Sequence, residues 1–316
     1  MINIIGKRYW FFLLSAIIII PGLISLAVSW ISTGDPLKPG IDFRSGTSLT
    51  LHFVPTVEEN KLRQELATLG YGDAVVQYSQ SADDFLIRLR EINNDEKQEL
   101  TAGLGTTLSA NVTVRDFASA SPIVTGETAR NASFAVVLAA IGILLYITWA
   151  FRRMPNPLRW GTCAIIALLH DVLVVLGIFS ILGWAAGVEV DSLFITAMLT
   201  VAGFSVHDTI VVFDRIRENM IKGIGGDFAD VVNYSTVQTL ARSLNTSLTV
   251  LFVLLALFLL GGSTIHYFVL VLLIGVTTGT YSSICNASAL LVVWQNREWG
   301  RFIGRKPQLA SKTEQG

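Results

Sequence analysis

The sequence predicts an α-helical polytopic membrane protein, with six transmembrane helices and one small α+β domain of ferredoxin-like order outside the membrane. Three observations predict it. Six stretches are apolar for long enough to cross a bilayer, only 15% of the 316 residues are charged, and one long intervening segment has the mixed charge of a water-facing domain. Soluble proteins are about a quarter charged, so much of this chain is built to meet lipid.

The candidate spans run from Tyr9 to Ile31, Ala132 to Phe151, Leu158 to Leu182, Val190 to Phe213, Leu244 to Leu260 and Tyr267 to Trp294. About 20 helical residues match the hydrocarbon thickness. A spanning segment must satisfy its own backbone, and runs this continuously apolar do so as helices, not as alternating barrel strands. Lys7 and Arg8 precede the first span, a pattern shared with secretory signals. That run is too long and has no clear small-residue cleavage site, so it reads as an uncleaved span.

Lysine and arginine set the expected orientation. They lie before the first span, between the second and third (Arg152, Arg153, Arg159), between the fourth and fifth (Arg215, Arg217, Lys222, Arg242), and after the sixth (Arg297, Arg301, Arg305, Lys306). The loops after spans three and five have none. Both termini are therefore expected in the cytoplasm and the segment from Ser32 to Glu127 outside. The expected organisation is an N-terminal end with the first span over 1–31, the outer domain over 32–127, the remaining five spans over 128–296 and a cytoplasmic tail over 297–316. The tail is polar from Pro307 onward, the composition of a disordered segment.

In the outer segment, Ser48 to Val54 reads as a strand and Val57 to Leu69 as an amphipathic helix closed by Gly70. Ala74 to Tyr78 and Phe85 to Arg90 read as strands, Asp95 to Leu108 as a helix, and Val112 to Phe117 as a last strand. The order β-α-β-β-α-β is the split βαβ, ferredoxin-like motif.

Composition also excludes functions. Basic residues form no long interleaved patch, which argues against a nucleic-acid partner. Cys163 and Cys285 sit inside apolar runs and read as small core residues. There is no G-x-x-x-x-G-K-[ST] loop for ATP, no H-E-x-x-H or other metal-ligand spacing, and no cofactor motif.

Charges inside the spans carry the functional signal, because an ionised carboxylate at the bilayer centre costs about 2.5 to 3.5 kcal/mol. Asp208 lies in the fourth span, roughly 9 Å of helix rise inside its end at Asp214. Arg242 opens the fifth span at a similar depth, so the two could form a fixed ion pair or a proton-binding switch. His207 adjoins Asp208 about 100° round the helix. With Thr196, Thr200 and Gly203 it forms a small, polar stripe suited to packing on another helix. His207 is then either a buried, hydrogen-bonded histidine or one that shares the proton. His170 and Asp171 form a possible secondary polar site in mid-span of the third helix. As adjacent helical positions they are not expected to face one another. In the run Phe213 to Asn219 (FDRIREN), Asp214, Arg215, Arg217 and Glu218 suit either a solvated anchor or a docking surface at the cytoplasmic face. Two membrane aspartates could in principle share a proton for proteolysis, but Asp171 lies near mid-membrane and Asp208 nearer one side.

Five blocks carry a family resemblance: GIDFRSGT after the first span, ETARNA entering the second, LLHDVLVVLGIFSILGW in the third, SVHDTIVVFDRIREN closing the fourth and ARSLNTSLTVL opening the fifth. In this order and at these depths the chain, from about Lys7 to Trp294, resembles the SecF subunits of bacterial protein export. The resemblance implies a non-enzymatic accessory subunit in the bacterial cytoplasmic membrane, paired with SecD in an arrangement similar to resistance-nodulation-division transporters. It implies association with the SecYEG channel and, indirectly, the SecA ATPase, with unfolded exported polypeptide as substrate and the proton motive force as energy source. Asp208 and Arg242 are implied as proton-pathway residues, with His207 beside them where the family usually has asparagine. Where the family commonly reads Gly-Gly-Thr in the outer motif, Arg44, Ser45 and Gly46 precede Thr47 here. The alternative reading is a proton-coupled small-molecule transporter half of the same superfamily.

Overall fold

The computed structural model of the chain describes residues 3–40, 42–79, 83–120 and 122–298. The segment with Arg301, Arg305, Lys306 and the polar run from Pro307 lies outside the described residues. In chain order the elements are α1 (Arg8–Thr33), β1 (Gly46–Val54), α2 (Glu59–Thr68), β2 (Val75–Ser79), β3 (Asp84–Leu89), α3 (Asn94–Thr107), β4 (Asn111–Ala120), α4 (Pro122–Ala150), α5 (Pro157–Ala186), α6 (Ser192–Ile221), α7 (Phe228–Leu260), α8 (Ser263–Tyr281) and α9 (Ser288–Gln295). A 3₁₀ turn, Ile5–Lys7, leads into α1, and a π-helical turn, Ser282–Ala287, joins α8 to α9 as one continuous span. Among the described residues six helices are long and apolar enough to cross a membrane.

The chain divides into two compact units. One gathers the spans. The third, fourth and sixth spans bury about half their length against other helices, whereas the first, second and fifth turn most side chains outward. That outward apolar surface (Ile17, Leu23, Leu138, Leu145, Phe252, Leu259) is what a lipid-facing bundle requires. Two helices begin earlier than hydropathy predicts, α4 at Pro122 and α7 at Phe228. The first part of α7 buries Val231, Val232, Ser235, Thr236 and Thr239 at helical spacing and leaves Asn233 and Tyr234 half-buried and Gln238 exposed between them. It is amphipathic, so an apolar-run criterion passes over it.

The α1 and α5 helices meet along a seam of small residues. Ser15 bonds His170 at 2.9 Å and Ser25 bonds Ser180 at 2.9 Å, both pairs 155 residues apart. Between them Gly22 packs on Gly177, where a Cβ on either glycine would lie 2.6 Å from the other's Cα. A constant offset means that the two helices run parallel in one register. Close approach of this kind replaces the hydrophobic drive that lipid cannot supply.

At the end of the bundle where α1 begins and α9 ends, Ile5 is buried with Phe151, Trp160, Phe213 and Val232. Phe151 stacks on Trp160 at 5.2 Å, and Phe213 meets Trp160 edge-on at 5.3 Å. Asn233 of α7 accepts the Ile4 and Ile5 amides at 2.9 and 3.1 Å. Glu298, just past α9, accepts from Arg8 at 2.5 Å, Tyr9 at 2.8 Å and Asn296 at 3.1 Å. Burial by itself would raise the Glu298 carboxyl, but the bonds from Arg8, Asn296 and Tyr9 outweigh it and hold the group below the usual carboxylate range.

The other unit comprises Pro39–Phe134 with Glu189–Ser192. Its four strands pair antiparallel in the order β2-β3-β1-β4, with a register shift between Thr50 and Leu51. This is the split βαβ arrangement expected from the sequence. Leu49, Leu51 and Phe53 of β1 and Phe85 and Ile87 of β3 alternate onto one face, and Leu62, Leu66, Leu100 and Leu104 of α2 and α3 cover it. Asn93 caps α3 in a reciprocal capping box with Glu96. Gly46 has φ +141°, and a Cβ there would lie 2.8 Å from the Leu89 carbonyl, so the turn into β1 needs glycine. Glu189–Ser192 joins this unit through an Arg88–Glu189 ion pair and through Gly40 N–H on the Val190 carbonyl at 2.8 Å. Asp42 also accepts the Ser192 amide at 2.8 Å.

Two outcomes follow from the bundle contacts. Gly177→Val overpacks the α1–α5 seam and destabilises the chain by about 1–3 kcal/mol, measured by denaturation in mixed micelles. Glu298→Gln costs about 1.5–3 kcal/mol at neutral pH. Because the folded-state Glu298 carboxyl is depressed, its contribution is complete above the ordinary glutamate range and is lost as pH falls through the lower folded value. The gap between wild type and variant therefore closes in acid.

Candidate functional site

Both intramembrane aspartates are buried in the bundle, in opposite states of satisfaction. Asp171 is fully buried, at 0% exposure. Its Oδ2 accepts from Ser205 of α6 at 2.5 Å and from Ser282 of the π turn at 2.6 Å. Its Oδ1 lies 3.0 Å from Nδ1 of His170. The expectation that these adjacent residues do not face one another is therefore corrected. Side chains 100° apart on one helix reach each other when both swing to the same side, and here the carboxylate holds the ring across the backbone.

The network extends outward from His170. Its Nε2 lies 2.9 Å from Ser15 Oγ on α1. Ser15 also receives Asn286 Nδ2 at 2.9 Å and lies 3.3 Å from the Tyr281 hydroxyl, which donates to the Phe11 carbonyl at 2.7 Å. Four spans thus converge on one polar cluster. The π turn widens the last span where it supplies Ser282, Ser283 and Asn286, in keeping with the frequent placement of such turns at functional positions. Ser283 in turn bonds Thr209 at 2.9 Å and donates to the Ser205 carbonyl at 3.1 Å.

Asp208 is 2% exposed, and its Oδ2 is a buried polar atom with no hydrogen-bond partner among the described residues. Ser247 of α7 is the side chain that reaches it. Ser247 also donates to the Ser243 carbonyl at 2.8 Å and sits 2.6 Å from Thr280. Arg242 is not brought to Asp208. Ser243 and Ser247 point into the bundle, whereas Arg242, Asn245, Thr246 and Thr249 lie on the exposed side of α7. His207 is also exposed and is not the buried, hydrogen-bonded histidine considered above. It continues an exposed stripe with Thr196, Thr200 and Gly203 on α6.

The charged run that closes α6 is tied up locally. Glu218 takes Arg215 at 2.6 Å and Lys222 at 2.5 Å, and Asp214 pairs with Arg217 at 3.5 Å. Arg215 also donates to Gln238 of α7 at 2.6 Å. Asn219, 1% exposed, donates to Ser235 at 2.8 Å and Gln238 at 3.0 Å. These bonds close the α6–α7 hairpin.

Sequence reasoning missed Ser15, Ser205, Tyr281, Ser282, Asn219 and Asn286. Lone hydroxyls in apolar runs carry little signal, because serine and threonine can satisfy themselves on the carbonyl four residues back. Asn286 did carry one: an amide in mid-span has no such refuge and marks a polar interior. No group of His, Cys, Asp and Glu suited to a metal occurs among the described residues. Cys163 and Cys285 are free.

The comparisons with known proteins bear on the family and the fold. Residues 101–297 match the C-terminal family of the SecD/SecF protein export membrane proteins, and residues 30–57 match the SecD/SecF GG motif. The chain is 49% identical to the protein translocase subunit SecF of Thermobaculum terrenum, covering 99% of this chain and 100% of that one. It is 44% identical to the SecF of Anaerolinea thermophila over 98% of this chain and 100% of that relative. The crystal structure of SecDF, a translocon-associated membrane protein from Thermus thermophilus, superposes with a TM-score of 0.78 at 36% identity. That match covers 94% of this chain and 39% of the longer SecDF chain.

Asn219→Leu, which removes both bonds of a buried amide, is expected to destabilise the hairpin by about 1–3 kcal/mol. Denaturation in mixed micelles measures it, and faster hydrogen exchange confined to the start of α7 locates it.

Proposed function

The chain belongs to the SecD/SecF family of protein export membrane proteins, and we propose that within it Asp208 is the proton-carrying group of a gradient-driven SecF subunit. As a multi-pass accessory subunit of the Sec protein translocase, the chain serves polypeptide export. In this reading it pairs with SecD in the bacterial cytoplasmic membrane, with both termini inside, and works with SecYEG after SecA has begun the transfer. It does no covalent chemistry.

The observation that carries the reading is the unpartnered Oδ2 of buried Asp208. A dry carboxylate with an unmet oxygen is stable in two ways. It takes a proton, or a cation comes to it. In this reading Arg242, one helix away and turned aside from Asp208 in this structure, is the cation that comes to it when the switch is thrown. Its exposed position on α7, with His207 on α6, puts two titratable or charged groups on the outer surface of membrane helices, where lipid is a poor neighbour. A second protein surface covering that face is the arrangement that relieves the cost, and the fusion of SecD and SecF in one Thermus thermophilus chain supports SecD as its owner. The energy scale fits, since one charge moved through 100 mV releases about 2.3 kcal/mol, enough to bias a conformational equilibrium of a few kcal/mol.

Asp208→Asn is expected to cut gradient-dependent export into vesicles by at least about tenfold, which corresponds to about 1.4 kcal/mol. Copurification with SecD and the ATP-driven early step should be unchanged. Export that still responds fully to an imposed proton gradient in this variant would refute the assignment.

A further inference from the structure

We propose that the corner joining α4 to α5 is a headgroup site for an anionic glycerophospholipid, whose phosphate is held by Arg152, Arg153 and Arg159. The inference does not rest on the role given to Asp208.

The chain holds this corner at the membrane surface. One span ends at Ala150 and the next begins at Pro157, so the 151–156 connection is too short to leave the headgroup layer. Trp149, 62% exposed, and Leu158, 66% exposed, flank it with the apolar surface that meets lipid beside the headgroups. The corner is also fixed. Phe151 stacks on Trp160 at 5.2 Å, and the Met154 amide donates to the Phe151 carbonyl at 2.9 Å. The neighbours of the two stacked rings, Arg152 and Arg159, are thereby brought to one place, and the Arg152 guanidinium lies 4.7 Å from the centre of the Trp149 ring.

The charge gathered here has no counter-charge. Arg152 and Arg153 are exposed, and among the described residues neither forms an ion pair. Arg159 donates to the Gln295 side chain, while its Nε is a buried polar atom without a hydrogen-bond partner among the described residues. No aspartate or glutamate occurs from 128 to 170. The acids of neighbouring elements are engaged elsewhere: Asp214 with Arg217, Glu218 with Arg215 and Lys222, and Glu298 with Arg8. The positive end of the α5 dipole, which starts at Pro157, adds to the same field.

These features select the ligand. Guanidinium forks match phosphate oxygens, so a phosphodiester is the group that suits them. An ethanolamine or choline headgroup brings a cation of its own, for which this corner offers no acid. A lipid of net negative charge is therefore preferred, with its tails against Trp149 and Leu158. Each arginine near an anionic headgroup is worth about fivefold in binding, and the three together roughly a hundredfold.

The test uses the full chain with its copurified SecD in phosphatidylcholine bilayers that carry a trace of phosphatidylglycerol with a diazirine in its acyl chain. Irradiation and mass spectrometry locate the label. The expected result is labelling of the peptide around Trp149 and Leu158, which added phosphatidylglycerol displaces at about a hundredfold lower membrane fraction than added phosphatidylethanolamine. Arg153→Gln, at a side chain with no contact to lose, should lower that ratio about fivefold without disturbing the fold. Arg152→Lys together with Arg153→Lys keeps the charge but removes the forks, and should lower it as well. Equal displacement by the two lipids, or a ratio indifferent to Arg153→Gln, overturns the proposal. A ratio fully retained by the lysine pair reduces the site to diffuse surface attraction and also overturns it. Displacement by inorganic phosphate in the buffer makes it a site for a soluble anion, and the lipid assignment falls.

Discussion

The bundle is organised by the cost of holding a carboxylate in hydrocarbon. Asp171 is completely buried, and its attraction for donors brings Ser205 of α6 and Ser282 of the last span onto α5, while its histidine neighbour carries the cluster to Ser15 of α1. Apolar packing alone does not select partners for a lipid-immersed helix, since lipid tails are as apolar as leucine. Directed bonds and close small-residue contacts do select. The Gly22–Gly177 approach and the Ser25–Ser180 bond continue from Ser15 along the same face, so the polar centre and the small-residue seam fix α1 and α5 in one alignment.

The two aspartates divide the work that a buried acid can do. Asp171 has a polar partner at each oxygen, Ser205 and Ser282 at Oδ2 and His170 at Oδ1. Asp208, less than one turn further along α6 than Ser205, has an oxygen left over and, as its hydroxyl neighbour, Ser247 of α7, itself bonded to Thr280 of the last span. The last span touches both sets: Thr280 faces Ser247, whereas Ser282 and Ser283 face Asp171 and Thr209. The π turn makes this possible by rotating successive side chains away from ordinary α-helical spacing.

Most of the fold was legible in the sequence, because it rests on local signals. Six apolar runs gave six spans, and hydrophobic alternation with Gly70 closing the first helix gave the outer domain with its element order. The start of α7 was hidden because its valines and hydroxyls are amphipathic, with too little apolar content for a span criterion. The site was legible only in its charged members. Asp208, Arg242, His207 and the HD pair of α5 stand out, since charge in a span needs a cause. Facing did not follow from depth: Arg242 and Ser243 are neighbours in sequence, yet only Ser243 turns inward. The serines around Asp171 gave no warning, because long-range contact, not composition, distinguishes them from serines that merely bond their own helix.

The adjacency of His170 and Asp171 has a bearing on biogenesis. A newly made span enters the bilayer before its neighbours have assembled around it, and at that stage a solitary anion would resist partitioning. Here the acid brings its own hydrogen-bonding partner on the same helix, 3.0 Å away, and hydroxyls such as those of Thr209 and Ser247 shelter on carbonyls one turn back. The third span therefore enters the lipid with part of its polar cluster already satisfied within itself, and the contacts to the other helices form afterwards.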